Sequence, residues 1–230
     1  MTTWREFWDN PHSIYVNDRH KDVHYRDVAE GIAAFVQSAE ARVLDHGCGE
    51  AIHADIVADA ARSLCLCDAA PSVRAAIAKR FAANPKIKVL APEDVERLPD
   101  ASLDLIVANS LVQYLSADEL THMLALWWRL LAPSGTLIVA DIIPPDVGPL
   151  SDVIALLRYA AAHGFLFAAF AGLARTALSG YARLRNELGI ARYSETEFLD
   201  RLRAAGFVAE RLAGNLEHNP ARMSFRARIA

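Results

Sequence analysis

Apolar positions along the chain follow two different spacings. Segments with an apolar residue every three or four positions alternate with short apolar runs. The first spacing is typical of amphipathic helices and the second of buried strands. The predicted helices are residues 25–38, 51–61, 71–83, 117–131 and 195–205, and the predicted strands are residues 42–45, 63–67, 86–90, 103–108, 136–141, 207–212 and 222–230.

The order of these elements predicts the fold class. Strands and helices alternate up to residue 141, which indicates βαβ units and a parallel sheet with helices on both faces. The last two strands are joined by the short connection AGNLEHNPA and should pair antiparallel. We therefore expect an α/β fold: a doubly wound, mostly parallel, seven-stranded Rossmann-like sheet that ends in an antiparallel hairpin.

The chain length suits a single domain, residues 1–230. Its predicted parts are an N-terminal arm and helix (1–40), a cofactor-binding core (41–145), a helical insertion or cap (146–193), and the last helix with the terminal hairpin (194–230). The insertion is rich in Ala, Leu, Phe and Arg and carries no strand pattern. Residues 149–188 are therefore predicted to form two or three helices.

Composition and charge exclude some function classes. Apolar residues make up 53% of the chain, yet residues 159–174, the longest uncharged stretch of the apolar insertion, fall short of the roughly 20 residues of a spanning helix. The N-terminus lacks a signal-peptide pattern, so we expect a cytoplasmic protein without a transmembrane segment. The chain is acidic overall and its arginines are not clustered, which argues against nucleic acid as a partner.

The sequence VLDHGCGEA, residues 43–51, is the first sign of chemistry. It follows the first predicted strand, where an α/β sheet binds its ligand, and Gly47 and Gly49 allow the backbone to approach that ligand. A dinucleotide-binding loop would carry a third glycine where Ile52 stands, and Glu50 would repel a pyrophosphate. The loop therefore favours a cofactor without phosphate over a nicotinamide or flavin dinucleotide.

Acidic residues also follow the next two predicted strands. Asp68 comes 23 residues after Asp45, at a position where a carboxylate can accept both hydroxyls of a ribose. Asp94 follows the third strand, where its carboxylate can accept a hydrogen bond from an adenine amino group. A helix N-cap remains open as an alternative for Asp68, and a solvated turn for Asp94.

Five segments resemble the class I S-adenosylmethionine-dependent methyltransferases. They are VLDHGCGEA, CDAAPSV, EDVERLP, SLDLIVANSLVQYL and LLAPSGTLIVAD, and together they span residues 42–141 in the order and spacing of that family. The resemblance implies S-adenosylmethionine as the cofactor. Ala51 departs from the family, which prefers glycine there, and its methyl group is expected to be tolerated if its backbone is helical.

The resemblance also implies a set of cofactor contacts. Gly47 and Gly49 would line the methionine part, Asp45 would lie near its amino group, Asp68 and Ala69 would hold the ribose, Asp94 and the Val95 amide would contact the adenine, and Asn109 would face the cofactor. The family has no fixed catalytic residue, because the cofactor supplies the reactive carbon and the protein mainly positions the acceptor. A general base is needed only where the acceptor atom carries a proton.

The N-terminal arm contributes further candidates from the segment SIYVNDRHKDVHY. Tyr15 and Arg19 are predicted to close over the cofactor, with Arg19 paired to its carboxylate, and a solvated arm is the alternative. His20 and His24 are four positions apart and can share a helix face. No third ligand is evident near them, so no metal site is predicted.

Acceptor contacts are expected after the fourth strand and in the terminal hairpin. The catalytic candidates are His24, Tyr114 and His218, and the substrate candidates are Gln113, Tyr193, Asn219 and Arg222. The arginines of the insertion are Arg158, Arg175, Arg183, Arg185 and Arg192. An apolar wall fringed by arginine fits an acceptor with an apolar portion and an anionic group.

The predicted function is therefore methyl transfer from S-adenosylmethionine to such a small-molecule acceptor. A methyltransferase-fold binding protein without turnover and a nucleotide-dependent oxidoreductase are the alternatives. The insertion also leaves open a dimer face, a peripheral membrane contact and plain packing against the domain. The chain is expected to be a monomer or a homodimer.

Overall fold

The computed structural model describes residues 3–10, 15–177 and 189–230. These residues form one seven-stranded sheet with helices on both faces. The strands are β1 (Arg42–His46), β2 (Ser63–Cys67), β3 (Ile87–Leu90), β4 (Leu103–Asn109), β5 (Leu131–Ile142), β6 (Phe207–Arg211) and β7 (Met223–Ile229). The helices are α1 (Trp4–Trp8), α2 (Asp18–Ala33), α3 (Ala54–Ala60), α4 (Pro71–Arg80), α5 (Pro92–Glu96), α6 (Ala117–Leu130), α7 (Pro149–His163), α8 (Leu166–Ala177) and α9 (Glu195–Ala204).

The strand order is β3-β2-β1-β4-β5-β7-β6, which confirms the predicted fold class. Strands β1 to β5 pair in parallel, whereas β7 is antiparallel to both β5 and β6. Strand β6 therefore runs in the same direction as β5. The connection from β6 to β7 consequently lies at the carboxyl edge of the sheet, where the parallel strands also end.

An apolar core lies on each face of the sheet. Ile32, Val57 and Ile77, from α2, α3 and α4, pack against one face. Trp127 and Phe198, from α6 and α9, pack against the other. The central strands β4 and β5 bury side chains on both faces, as expected for parallel strands covered by two layers of helices.

Two helices begin at residues other than those predicted from the sequence. Helix α2 begins at Asp18 because the Asn17 side chain accepts a hydrogen bond from the His20 amide and caps it. Helix α3 begins only at Ala54 because Ala51 has φ +42°, a left-handed conformation that a right-handed helix excludes. The expectation that Ala51 lies in helical backbone is therefore wrong.

Helices α7 and α8 form the cap over the carboxyl edge. Gly164, at φ +76°, ends α7 in a left-handed turn, and Val16, Ala160, Phe165 and Ala169 join the arm to the cap in a small apolar core. Residues 178–188 of the predicted insertion, with Arg183 and Arg185, and the Arg175 side chain lie outside the described residues. Within the described ranges, no helix is long and apolar enough to cross a membrane.

Candidate functional site

The glycine loop after β1 is fastened to the end of β2. The amides of Gly47 and Cys48 donate hydrogen bonds to the Cys67 carbonyl at 2.7 and 3.0 Å. The Gly49 amide donates to Oδ2 of Asp68 at 3.0 Å. Gly47 and Gly49 have φ values of +83° and +57°, a conformation that favours glycine.

The next amide of the loop is also used within the protein. Glu50 N–H donates to the Tyr25 hydroxyl at 2.9 Å, and the Glu50 carboxylate pairs with Lys21. A Cβ atom on Gly49 would lie 2.7 Å from the same hydroxyl. Four successive loop amides thus have partners, and the loop offers no nest of free N–H groups for a pyrophosphate.

Asp45 lies beneath this loop and is 8% exposed. Among the described residues, none donates a hydrogen bond to its carboxylate. Burial, with a smaller contribution from the charge of Asp68, raises the pKa of Asp45 to about 7. A buried carboxylate without a donor fits the ammonium group of a methionine moiety.

Asp68 ends β2 with one hydrogen bond to each carboxylate oxygen. Oδ1 accepts from the Ala70 amide at 2.8 Å, and Oδ2 accepts from Gly49. Each oxygen retains a lone pair that can accept a hydrogen bond from a ribose hydroxyl. Ala70, not Asp68, is the N-cap of α4, so the N-cap alternative is not realised. Ala69 lies beside it, exposed, with its carbonyl bound by Arg74.

The predicted adenine segment forms the short helix α5. Asp94 Oδ2 accepts from the Ala91 amide at 3.2 Å, and Oδ1 pairs with Arg97. Val95 is fully buried, and its amide donates to the Ala91 carbonyl at 3.2 Å. Contact between the Val95 amide and adenine would therefore require that hydrogen bond to be replaced.

The arm reaches the glycine loop through aromatic side chains. The Tyr15 ring packs against Tyr25, which binds the loop, with the ring centroids 5.7 Å apart. Arg19 points elsewhere: its Nε donates to the His163 carbonyl at 2.6 Å and fastens the arm to α7. The predicted pairing of Arg19 with the cofactor carboxylate stays a prediction, and it would require the guanidinium to leave His163 or to use its other nitrogens. The sequence prediction omitted Tyr25, although it stands in the same segment.

His20 is a core residue. It is 5% exposed, its ring stacks on Phe165, and its Nδ1 accepts from the Val16 amide at 3.3 Å. Burial, and then the charges of His24 and His218, lower the pKa of His20 to about 4, so the ring is neutral at pH 7.

Glu217 was not among the predicted site residues, yet it lies at the centre of the carboxyl edge. Asn109 Nδ2 donates to its Oε1 at 2.8 Å, while Asn109 Oδ1 is buried without a partner. His24 Nδ1 is 3.3 Å and His218 Nδ1 is 3.7 Å from Oε2.

Burial alone would raise the pKa of Glu217, but His24 and the surrounding donors hold it well below its usual range. Burial lowers the pKa of His24, but the charge of Glu217, the hydrogen bond to it and the charges of Asp141 and Asp27 together raise that pKa.

Two predicted substrate residues instead fasten the cap. Arg222 pairs with Asp141 at 2.6 Å and with Asp152 of α7 at 2.9 Å. Asn219, 3% exposed, donates to Asp152 at 2.8 Å and accepts from the Ala221 amide. An acceptor anion would have to displace a carboxylate to reach this guanidinium.

The other predicted acceptor contacts fall in three different places. Tyr193 is buried against Phe198 in the apolar core, away from solvent. Gln113 is buried with Oε1 lacking a partner. Tyr114 packs against Trp4 and Trp8 of α1, at centroid distances of 4.7 and 5.5 Å.

An open cavity of about 710 Å³ is lined by α7 and the β6–β7 connection. Its lining includes Leu150, Ile154, Arg158 and Tyr159 from α7, and His218 from the connection. The His218 ring stacks on Tyr159 with centroids 4.9 Å apart. The cavity therefore adjoins the Glu217 cluster at the carboxyl edge of the sheet.

Comparisons with known proteins agree with this arrangement. Residues 43–135 match a family model described as a methyltransferase domain. No curated protein sequence matches the chain. Among solved structures, phosphoethanolamine N-methyltransferase 1 of Haemonchus contortus, in complex with phosphoethanolamine and S-adenosylhomocysteine, is 25% identical over 63% of this chain and 32% of its own, with a TM-score of 0.52.

Two further structures match nearly the whole chain. The magnesium protoporphyrin IX methyltransferase of Synechocystis PCC 6803, with bound S-adenosylhomocysteine, is 14% identical and covers 99% of this chain and 93% of its own, with a TM-score of 0.61. DhpI in complex with S-adenosylhomocysteine is 14% identical over 98% and 95%, with a TM-score of 0.62. Residues 43–135 thus carry a methyltransferase domain, and the whole chain shares the fold of these proteins solved with S-adenosylhomocysteine.

Proposed function

We propose that the chain methylates a small molecule that combines an apolar body with an anionic group. The observation that carries this proposal is the cavity beside α7. Leu150 and Ile154 provide an apolar wall, and they are 71% and 40% exposed. Arg158 is exposed at the same cavity and forms no ion pair with a described residue. The lining also includes the exposed carboxylate of Asp146, so the anionic group of the acceptor is assigned to Arg158, beside the apolar wall.

The protein's part in the reaction is to hold the two reactants in line. S-adenosylmethionine supplies the methyl group at its sulfonium. Asp45 and Asp68 would hold the methionine ammonium and the ribose, and the hydrogen bond from the Gly49 amide keeps the Asp68 carboxylate in place. Positioning of this kind accounts for a large part of the rate enhancement in a bimolecular transfer.

The acceptor would lie between α7 and the β6–β7 connection, with its reacting atom towards His218 and Glu217. This position supports His24 and His218 as the candidates that contact the reacting group. It gives less support to Tyr114, because that ring is packed against α1.

Radiolabelled methyl transfer to a panel of aromatic and long-chain carboxylic acids, and to their neutral amides, tests the proposal. We expect transfer to members of the acid series and little transfer to the amides. Replacing Arg158 with Gln should raise KM for the acids about tenfold while leaving kcat nearly unchanged, since one charge-assisted contact contributes about 1.5 kcal/mol.

Arg62→Gln is the matched control, because Arg62 is exposed and pairs with Glu40. It stands directly before β2, at the amino edge of the sheet and therefore away from the cavity. Equal transfer to acids and amides, or an equal KM for the Arg158 and Arg62 variants, would refute the proposed acceptor class.

A further inference from the structure

His24, Glu217 and His218 form a compact group of metal-ligating side chains at the carboxyl edge. Each offers one ligand atom, and these atoms lie within 4.8 Å of one another. Helix α2 supplies His24, whereas the β6–β7 connection supplies the other two. No third ligand stands near His24 in the sequence, because the fold brings these residues together from opposite ends of the chain.

The Glu217 carboxylate is oriented by its neighbours. Oε1 accepts from Asn109 Nδ2 at 2.8 Å and lies 3.5 Å from the Ser110 hydroxyl. Oε2 is left to face the two histidine nitrogens. A carboxylate held through one oxygen, with the other directed at imidazole nitrogens, is the arrangement of a metal ligand with supporting hydrogen bonds.

An ion pair between histidine and carboxylate accounts for only part of this group. The 3.7 Å between His218 Nδ1 and Glu217 is too long for a hydrogen bond, and that nitrogen is buried without another partner. Asn109 Oδ1 is also buried and unpartnered. Buried polar atoms rarely remain unpaired, so two such atoms beside one carboxylate indicate a missing ligand.

We propose that His24, Glu217 and His218 bind one divalent transition-metal ion of the zinc class. Two imidazole nitrogens and one carboxylate oxygen suit Zn²⁺, Co²⁺ or Fe²⁺, whereas Mg²⁺ and Ca²⁺ prefer sites made of oxygen alone. Three protein ligands leave coordination positions open. Because His218 also lines the cavity, an acceptor hydroxyl that reached the ion would have its pKa lowered and would lose its proton more readily before attacking the methyl group. This last role rests on the proposed function, but metal binding itself does not.

Metal titration of the chelator-treated, tag-free full chain tests the site. We expect one equivalent of Zn²⁺ by calorimetry, and visible absorption bands of nitrogen-bound Co²⁺. Glu217→Gln and His218→Ala should each weaken binding by roughly tenfold or more. His122→Ala should leave binding unchanged, because His122 is exposed and pairs only with Glu96.

If neither Zn²⁺ nor Co²⁺ bound with one equivalent, the proposal would be overturned. It would also be overturned if the His218→Ala variant bound the ion with wild-type affinity. His218 is 23% exposed, so its replacement tests the site even if Glu217→Gln fails to fold. Methyl transfer is followed in parallel. Metal binding without any transfer would refute only the proposed function, and transfer by a protein that binds neither ion would refute only the metal site.

Discussion

At the residue scale, Asp45 should make cofactor binding depend on pH. Its pKa of about 7 means that the carboxyl is largely protonated at pH 6. Pairing with the methionine ammonium requires the ionised form, so binding must release this proton. We expect the affinity for S-adenosylmethionine to rise roughly tenfold between pH 6 and pH 8, as measured by calorimetry.

Asp45→Asn provides the control for this dependence. Its affinity should be weaker and nearly constant over the same pH range. The raised folded-state pKa also means that the Asp45 contribution to folding stability is present below pH 3.8, its ordinary pKa, and is lost as the pH rises towards about 7. The variant should therefore unfold at a higher temperature than the wild type at pH 8. A wild-type pH dependence in this variant would contradict the account.

Ala51 is a second residue whose conformation has measurable consequences. Ala51→Gly removes left-handed strain but also a buried methyl group and some chain stiffness, so we expect stability to change by less than about 1 kcal/mol. Ala51→Val places a β-branched side chain at φ +42° and should cost about 2 kcal/mol or more. Urea unfolding measures both variants, and equal effects would contradict the strained geometry.

Sequence reasoning predicted the positions of residues at the ends of β1 and β2 better than those of the terminal hairpin. Asp45, Gly47 and Asp68 belong to one βαβ unit, whose parallel strands end at the same edge of the sheet. Glu217 and Arg222 depend on how the terminal hairpin returns to the edge of β5, and neither spacing nor composition records those distant contacts. A carboxylate between Leu216 and His218 was a visible signal, although a hairpin tip offers many such residues.

At the scale of elements, Arg222 joins the cap to the sheet. Its guanidinium lies between Asp141 at the end of β5 and Asp152 on α7. Arg222→Gln would leave the 4%-exposed Asp141 without its partner, so we expect a loss of about 3 kcal/mol in the free energy of unfolding. Arg226→Gln, which breaks a more exposed pair with Glu210, should cost less than about 1 kcal/mol in the same urea titration. Equal losses would rule out the structural role of Arg222.

Helix α1 has only five residues, too few for the apolar pattern to predict a helix there. Asp9, at its end, accepts from the Ser72 amide beyond β2, while Trp4 and Trp8 pack on Tyr114 beyond β4. Since β1 lies between β2 and β4, we expect α1 to pass over the carboxyl end of β1, close to the glycine loop.

A Trp4→Ala, Trp8→Ala double variant should therefore release S-adenosylhomocysteine faster, by about tenfold for the loss of two aromatic contacts. Rapid filtration measures the release. Trp128→Ala is the control, because Trp128 is 43% exposed and packs on Gly206. If the double variant released S-adenosylhomocysteine no faster than the wild type, α1 would not be part of the cofactor site.

At the scale of the whole molecule, alternating apolar periodicity was sufficient to predict the sheet and its terminal hairpin. Each strand between two helices must bury both faces, and this requirement leaves few topologies. The cap was predicted only as helical, because an apolar insertion has the same pattern whether it borders a ligand, a second copy or a membrane. A cytoplasmic location and the choice between monomer and homodimer remain predictions.

The most direct test of the account is calorimetric titration of the intact chain with S-adenosylmethionine and, separately, with NAD. We predict one S-adenosylmethionine site with Kd below roughly tens of micromolar and no NAD binding. The Asp68→Ala variant should lose the site. The control variant Asp59→Ala should retain it, because Asp59 is an exposed carboxylate on α3. Binding of NAD, or no binding of S-adenosylmethionine at such concentrations by a folded chain, would contradict it.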